Sequence, residues 1–209
     1  MIHITGQDIL GLDRISRLGL INSITGLKPA NLIGTISADG QTNLAIISSV
    51  VHLGSDPPLI GFIMRPFVGE RHTLENIIAT GIYTINHINE SIAARAHFTS
   101  ADFPRSISEF DRCKLIPQYL KDFGAPFVAE SKVKIGLSLA ETIKIKLNQT
   151  IMVIGRVEHI IMDEDYVMAD NSIDLNASET ICISGLNTYH RVEKIAEYPF
   201  ANQENTPDF

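Results

Sequence analysis

Strand-forming runs with short helices inserted, and no regular strand–helix alternation, predict a mainly β chain of the α+β class. The expected architecture is a β-barrel with helical decorations rather than a doubly wound sheet. Three observations carry this reading. An Asp39-Gly40 turn separates two β-favouring runs, the stretch Ile143-Lys144-Ile145-Lys146-Leu147 alternates strictly, and a long β-favouring run covers residues 151–162.

Taken in order, residues 31–37 and 42–51 form the first hairpin, because Asp-Gly between apolar runs is a strong turn signal. Asp56-Pro57-Pro58 breaks the chain, since proline restricts the residue before it and lacks a donor. Residues 59–64 then form a short apolar strand. Leu74, Ile77 and Ile78 fall at helical spacing and Gly81 sits where a helix stops, so residues 72–80 form a helix. Residues 83–88 are β-favouring again, and residues 92–98 helical. Residues 99–131 contain Pro104, Pro117, Gly124 and Pro126 among scattered apolar anchors, which predicts a long connection holding one or two short helices. Such connections often cover a site, or merely decorate the barrel. In the alternating strand, Ile143, Ile145 and Leu147 are expected in the core, with Lys144 and Lys146 in solvent. Gly155 within the next strand marks a bulge or a close backbone approach. Residues 179–184 add one more strand. Residues 1–197 read as one domain, followed by an extended or disordered arm over 198–209.

The chain has 209 residues, 44% of them apolar, and a formal charge of −7. That balance argues against a nucleic-acid partner, whose phosphates would call for many Lys and Arg. Two cysteines, Cys113 and Cys182, supply neither a disulfide framework nor a Cys-rich zinc site, and fit a reducing compartment. No apolar run is long enough for a bilayer, and Asp8, Asp13, Arg14 and Arg17 interrupt what would be a signal peptide. A cytoplasmic chain without membrane partner or metal is expected. Glycine-rich dinucleotide and P-loop motifs and the nucleophile elbow are missing from the sequence.

The chemistry concentrates between Ser48 and Thr73. Arg65, Arg71 and His72 lie close together in an otherwise acidic chain and lead into the expected helix. A helix start presents unpaired N–H groups and a positive dipole end, so flanking cations there can hold a phosphate. Ser48, Ser49 and Thr73 could donate further bonds. A capped, solvated surface would look the same in sequence, and the residues alone leave both readings open. Tyr189-His190-Arg191 likewise fits a pocket or a subunit contact.

One ordered set of motifs is more specific than its pieces. It runs Asn43-Leu44-Ala45-Ile46-Ile47-Ser48-Ser49-Val50, then Gly54-Ser55-Asp56-Pro57-Pro58, Arg65-Pro66, Arg71-His72-Thr73-Leu74-Glu75-Asn76-Ile77, and Gly81-Ile82-Tyr83. This set resembles the flavin reductase-like family, which has an FMN-binding split β-barrel and includes flavoredoxins. The resemblance is firmest over residues 28–111 and extends more loosely to about 190. It implies a homodimer with FMN at or near the subunit interface. It further implies that Asn43, Ala45, Ser48, Ser49 and Val50 contact the flavin ring and phosphoribityl chain, and that Arg65, Arg71, His72 and Thr73 contact the phosphate. The family's reductases pass hydride from NAD(P)H through flavin to an acceptor, here unspecified. Many carry Gly-Asp-His before the long C-terminal strand, where this chain has Asn148-Gln149-Thr150. Glutamine cannot carry the charge open to histidine. The alternative is therefore a flavoredoxin-type electron carrier reduced by a protein partner. On either reading, Arg65→Ala and Thr73→Val are expected to weaken FMN binding without unfolding the protein.

Overall fold

A computed structural model of the chain describes residues 1–66, 72–204 and 206–208. The chain opens with two helices that the sequence reading left unassigned, α1 (Gly6–Gly11) and α2 (Arg14–Ser23). Their starts carry ordinary signals. Thr5 and Asp8 form a capping box, and the Asp13 carboxylate accepts from the amides of Ile15 and Ser16. Neither helix buries a residue, so apolar periodicity pointing at a core was lacking.

The strands follow: β1 (Lys28–Pro29), β2 (Asn31–Ile36), β3 (Thr42–Ile47), β4 (Val51–Ser55) and β5 (Pro58–Met64). The run expected as one strand over 42–51 is thus two, because the chain leaves its pairing with β2 after Ile47 and β4 pairs with β5 instead. Next come α3 (His72–Thr80), β6 (Ile82–His87), a 3₁₀ turn over Glu90–Ile92, α4 (Ala93–Phe98) and α5 (Glu109–Arg112). The connection over 99–131 holds one short helix, α5, and also a hairpin, β7 (Pro117–Leu120) with β8 (Phe123–Val128). Prolines hid these strands, yet each is an edge strand of a two-stranded sheet, where a missing donor is tolerated. The chain closes with β9 (Lys134–Ile145), β10 (Thr150–Ile161), β11 (Ile181–Ser184) and β12 (Thr188–Arg191).

Seven antiparallel strands form the main sheet in the order β3-β2-β6-β9-β10-β5-β4, and β1-β11-β12 form a second sheet. The Ser49 hydroxyl donates to the Ile63 carbonyl at 3.1 Å and accepts the Ile63 amide at 3.0 Å. This bond joins the segment after β3, at one edge of the sheet, to β5 near the other, and so helps curl the sheet into a barrel. The inside holds Ile33, Phe62, Leu74, Ile77, Tyr83, Ile85, Leu137 and Val153. Leu32, Leu44, Ile88, Ile92, Phe110 and Ile183 form a second core on the outer face. Buried on both faces, β2 and β6 read as continuous β-favouring runs rather than alternating ones.

Gly155 fulfils both meanings expected of it. The β9–β10 register shifts between Ile154 and Gly155, and a Cβ there would lie 2.1 Å from the Tyr83 hydroxyl oxygen. Gly34 plays a similar part, since a Cβ would meet the Pro126 carbonyl at 2.2 Å and push the β7–β8 hairpin away.

The expectation that Ile143, Ile145 and Leu147 are core is corrected. They are 43%, 36% and 99% exposed, because β9 loses its pairing with β6 after Ser138 and its second half is an edge beside β10 alone, with Leu147 in the turn that follows. Alternation marks one side of this edge as apolar, and the described residues leave it exposed. Among the described residues after Arg191, no helix or strand occurs.

Candidate functional site

A groove of about 640 Å³ runs between β3, the end of β5, the start of α3, the segment after α4, and the β11–β12 hairpin. Asn43, Ala45, Ser48, Ser49, Arg65, His72 and Thr73, all expected at the site, line it together. Val50 does not. As a half-buried side chain it packs against the barrel core, since the chain has turned away from β3 by that point. Arg71 lies outside the described residues.

A buried polar network fixes the floor. Asn43 Nδ2 donates to Thr73 Oγ1 at 2.9 Å and to Thr35 Oγ1 at 3.2 Å, and Asn76 Nδ2 donates to Thr35 Oγ1 at 3.1 Å. These bonds tie the start of α3 to β2 and β3, while Leu74 and Ile77 anchor the helix in the barrel core. Because Thr73 accepts from Asn43, its own proton stays available, and nothing takes it among the described residues. The Thr73 hydroxyl is therefore a donor at the groove, whereas the Ser49 hydroxyl already bridges the barrel edges.

Cations gather at this end. Arg65 Nη2 donates to Asn22 Oδ1 at 2.9 Å, so α2 steadies the guanidinium. Lys28 Nζ donates to the carbonyls of Asn22 at 2.8 Å and Gly185 at 2.9 Å. Burial, with the Arg65 charge nearby, holds the Lys28 ammonium below its ordinary range. Lys28 adds to a positive field for which its sequence position gave no signal.

The other walls come from segments that sequence reasoning did not assign to the site. From the 99–131 connection, Asp102, Phe103 and Glu109 line the groove, so its first part is a wall, while β7–β8 packs on the outside of the barrel. From α4 and β12 come His97 and Tyr189, joined by a 3.0 Å bond between His97 Nδ1 and Tyr189 Oη, with the rings edge to face. Burial raises the Tyr189 phenol above its usual range. Glu109 is 6% exposed, and its Oε2 accepts the Leu44 amide at 2.8 Å, capping an edge-strand donor. Burial pushes this carboxyl up, against the pull of the bonds from the Leu44 amide and from its own amide and of the His72 charge. The groove thus brings hydrogen-bond donors and cations, acceptor oxygens and aromatic rings into one lining.

Among the described residues no group of three or more His, Cys, Asp or Glu is placed to hold a metal, and no helix is long and apolar enough to cross a membrane. Cys113 and Cys182 are unpaired.

Comparison with known proteins matches residues 27–174 to the flavin reductase like domain. A crystal structure from Shewanella frigidimarina NCIMB 400, described as a candidate flavin reductase with split barrel domain, is 47% identical. It covers 96% of this chain and 100% of its own, with a TM-score of 0.93. Nitrilotriacetate monooxygenase component B from Bacillus cereus shares the fold at 22% identity and a TM-score of 0.83, over 95% of this chain and 98% of its own. Flavoredoxin of Desulfovibrio vulgaris (Miyazaki F) does so at 21% identity and a TM-score of 0.74, over 84% of this chain and 92% of its own. With the domain match spanning most of the sequence and the barrel matching a split barrel of nearly half-identical sequence, the chain belongs to the flavin reductase-like family, a flavin-binding family.

Proposed function

We propose that this protein is an FMN-dependent oxidoreductase, working as a homodimer in the cytoplasm, that passes hydride or electrons from NAD(P)H through the flavin to an acceptor. The observation that carries the reading is the groove end where Arg65, His72 and Thr73 meet at the start of α3. A phosphate there would receive the Thr73 proton, a charge-assisted bond from Arg65, and the field of the helix start. The β3 floor, with Ala45 and Ile47, offers a flat apolar bed suited to an aromatic ring.

Bound flavin supplies the redox chemistry. The chain's own residues hold the phosphate, keep α3 and β3 in register through Asn43 and Thr35, and wall off water with the segments carrying Phe103 and Tyr189. Dimerisation is supported by the exposed Ile143, Ile145 and Leu147 at the free end of β9 and the turn after it, apolar side chains that a second copy would bury. The two unpaired cysteines suit a reducing compartment.

A second reading, a flavoredoxin-type electron carrier reduced by a protein partner, is favoured by Gln149. It sits exposed in the β9–β10 turn with positive φ, its Nε2 donating to the Lys146 carbonyl, and presents no ionisable group. Purified protein supplied with FMN is expected to be yellow and to oxidise NADH or NADPH. Full flavin occupancy without nicotinamide oxidation would select the carrier instead. Failure to take up any flavin would overturn both.

A further inference from the structure

Two cations from different strands meet at the C-terminal end of α2. Arg65, exposed just after β5, bonds Asn22 Oδ1 at 2.9 Å, and Lys28, half-buried in β1, bonds the Asn22 carbonyl at 2.8 Å. The cause lies in the helix. The last carbonyls of a helix lack intrahelical partners and form the negative end of its dipole, yet α2 has no basic residue in its last turn. Lys28 and Arg65 supply from outside what α2 lacks. Burial and the Arg65 charge both hold the Lys28 ammonium below its ordinary range, so the two cations are close enough to repel. Asn22 gives an acceptor to each and offsets that repulsion without adding a charge. Its own Nδ2 donates to the Leu18 carbonyl at 2.7 Å, which fixes the side chain against its helix. Lys28 Nζ also donates to the Gly185 carbonyl at 2.9 Å, just before Leu186 and Asn187, which line the groove. One residue thus ties α2 to a groove cation and, through Lys28, to a groove wall.

The neutrality of Asn22 matters in a chain with 24 acidic residues against 17 basic ones. A carboxylate in its place would pair with Arg65 and cancel it. An amide leaves the charge, and the remaining N–H donors of the guanidinium, for a ligand in the groove. We infer that Asn22 is a positioning residue for the phosphate of the bound flavin, holding the Arg65 guanidinium in place with its charge unspent before the ligand arrives. The inference rests on the flavin reading above and adds to it a residue that acts only through Arg65. It does so by removing in advance the cost of immobilising a long side chain. The matched domain starts at residue 27, so this contribution to the site comes from a helix ahead of it.

The test is a double-mutant cycle read by flavin fluorescence titration. Wild type, Asn22→Ala, Arg65→Ala and the double variant are each titrated with FMN and with riboflavin, which lacks the phosphate. Alanine at position 22 keeps the backbone carbonyl that Lys28 bonds and favours the helix, so α2 stays seated. Asn22→Ala is expected to weaken FMN about two- to tenfold, the cost of immobilising one rotamer-rich side chain, and to leave riboflavin unchanged. In the Arg65→Ala background the same substitution is expected to change neither ligand. A loss of FMN affinity that persists without Arg65, or that riboflavin shares, would overturn the inference by showing a purely structural role. Unchanged FMN binding in Asn22→Ala, beside weakened binding in Arg65→Ala, would also overturn it while leaving the phosphate reading intact. An Arg65→Ala protein that binds FMN as wild type does would overturn the phosphate assignment and this inference with it. A wild type that takes up neither ligand would overturn the flavin reading itself.

Discussion

Thr73→Val separates two roles that one hydroxyl performs. The side chain is 6% exposed and valine has nearly its shape, so the substitution leaves no cavity and removes only hydrogen bonding. In the free protein, Asn43 Nδ2 loses the acceptor it holds at 2.9 Å and keeps only Thr35 at 3.2 Å. An unsatisfied buried donor costs about 1–3 kcal/mol. For a chain of this length that lowers the melting temperature by about 2–12 °C. The variant is therefore expected to stay folded but to melt earlier than wild type, because Thr73 is part of the network that seats α3. In the bound state the lost donor to a charged phosphate contributes about 1.5–3 kcal/mol, or roughly a 10- to 100-fold weaker FMN Kd. Thermal melts without ligand and FMN titration below the melting range measure the two effects separately. Thr73→Ser, which keeps the hydroxyl, should recover most of both. A Thr73→Val protein as stable as wild type would refute the buried network, and one that melts early but binds FMN normally would refute the phosphate assignment.

Arg65→Ala should weaken FMN about 10- to 100-fold at low salt, less at high salt, and leave the melting temperature unchanged, since the exposed guanidinium bonds only Asn22 among the described residues. Gly155→Ala drives a Cβ to 2.1 Å from a Tyr83 hydroxyl that cannot move aside, and should destabilise by at least about 1–3 kcal/mol in denaturant melts. Tyr83→Phe removes that buried, unpartnered hydroxyl and should recover part of the loss in the double variant, leaving the ring at 2.8 Å. Burial lowers His87 to about 4 from an ordinary 6.5. Its imidazole is neutral in both states above pH 6.5. As pH falls to about 4 the unfolded chain binds a proton that the fold refuses, so stability declines across that window by at most about 3 kcal/mol. Glu109, raised by burial, works in the opposite direction, so the check is the difference in melts between wild type and His87→Gln, which should vanish above pH 7. Ile143→Glu should turn a dimer into a monomer in sedimentation velocity, and an unchanged dimer would show that the free end of β9 is not the contact.

Local rules determined much of this protein. The Asp39-Gly40 hairpin, the helix ended by Gly81 and the close approach at Gly155 follow from turn chemistry, spacing and the lack of a Cβ, all of which act between near neighbours. The capping signals of Thr5 with Asp8 and of Asp13 were equally local and could have placed α1 and α2. The cation cluster before α3 was legible because its charges are close in sequence. Other features were not legible, because they depend on which distant segments meet. The apolar alternation of Ile143, Ile145 and Leu147 specifies a face but not its cover, and β6 stops pairing with β9 before reaching it. Val50 does not line the groove because the chain turns after Ile47 to pair with β5. Glu109, His97 and Tyr189 became groove residues through contacts between α5 and β3 and between α4 and β12, and Lys28 came near Arg65 by bonding the carbonyls of Asn22 and Gly185. Sequence spelled out the cations and hydroxyls Arg65, His72 and Thr73 of the groove. Only the tertiary structure decided what else lines it, since burial and the orientation of a carboxyl or a phenol arise from packing between elements far apart in the chain.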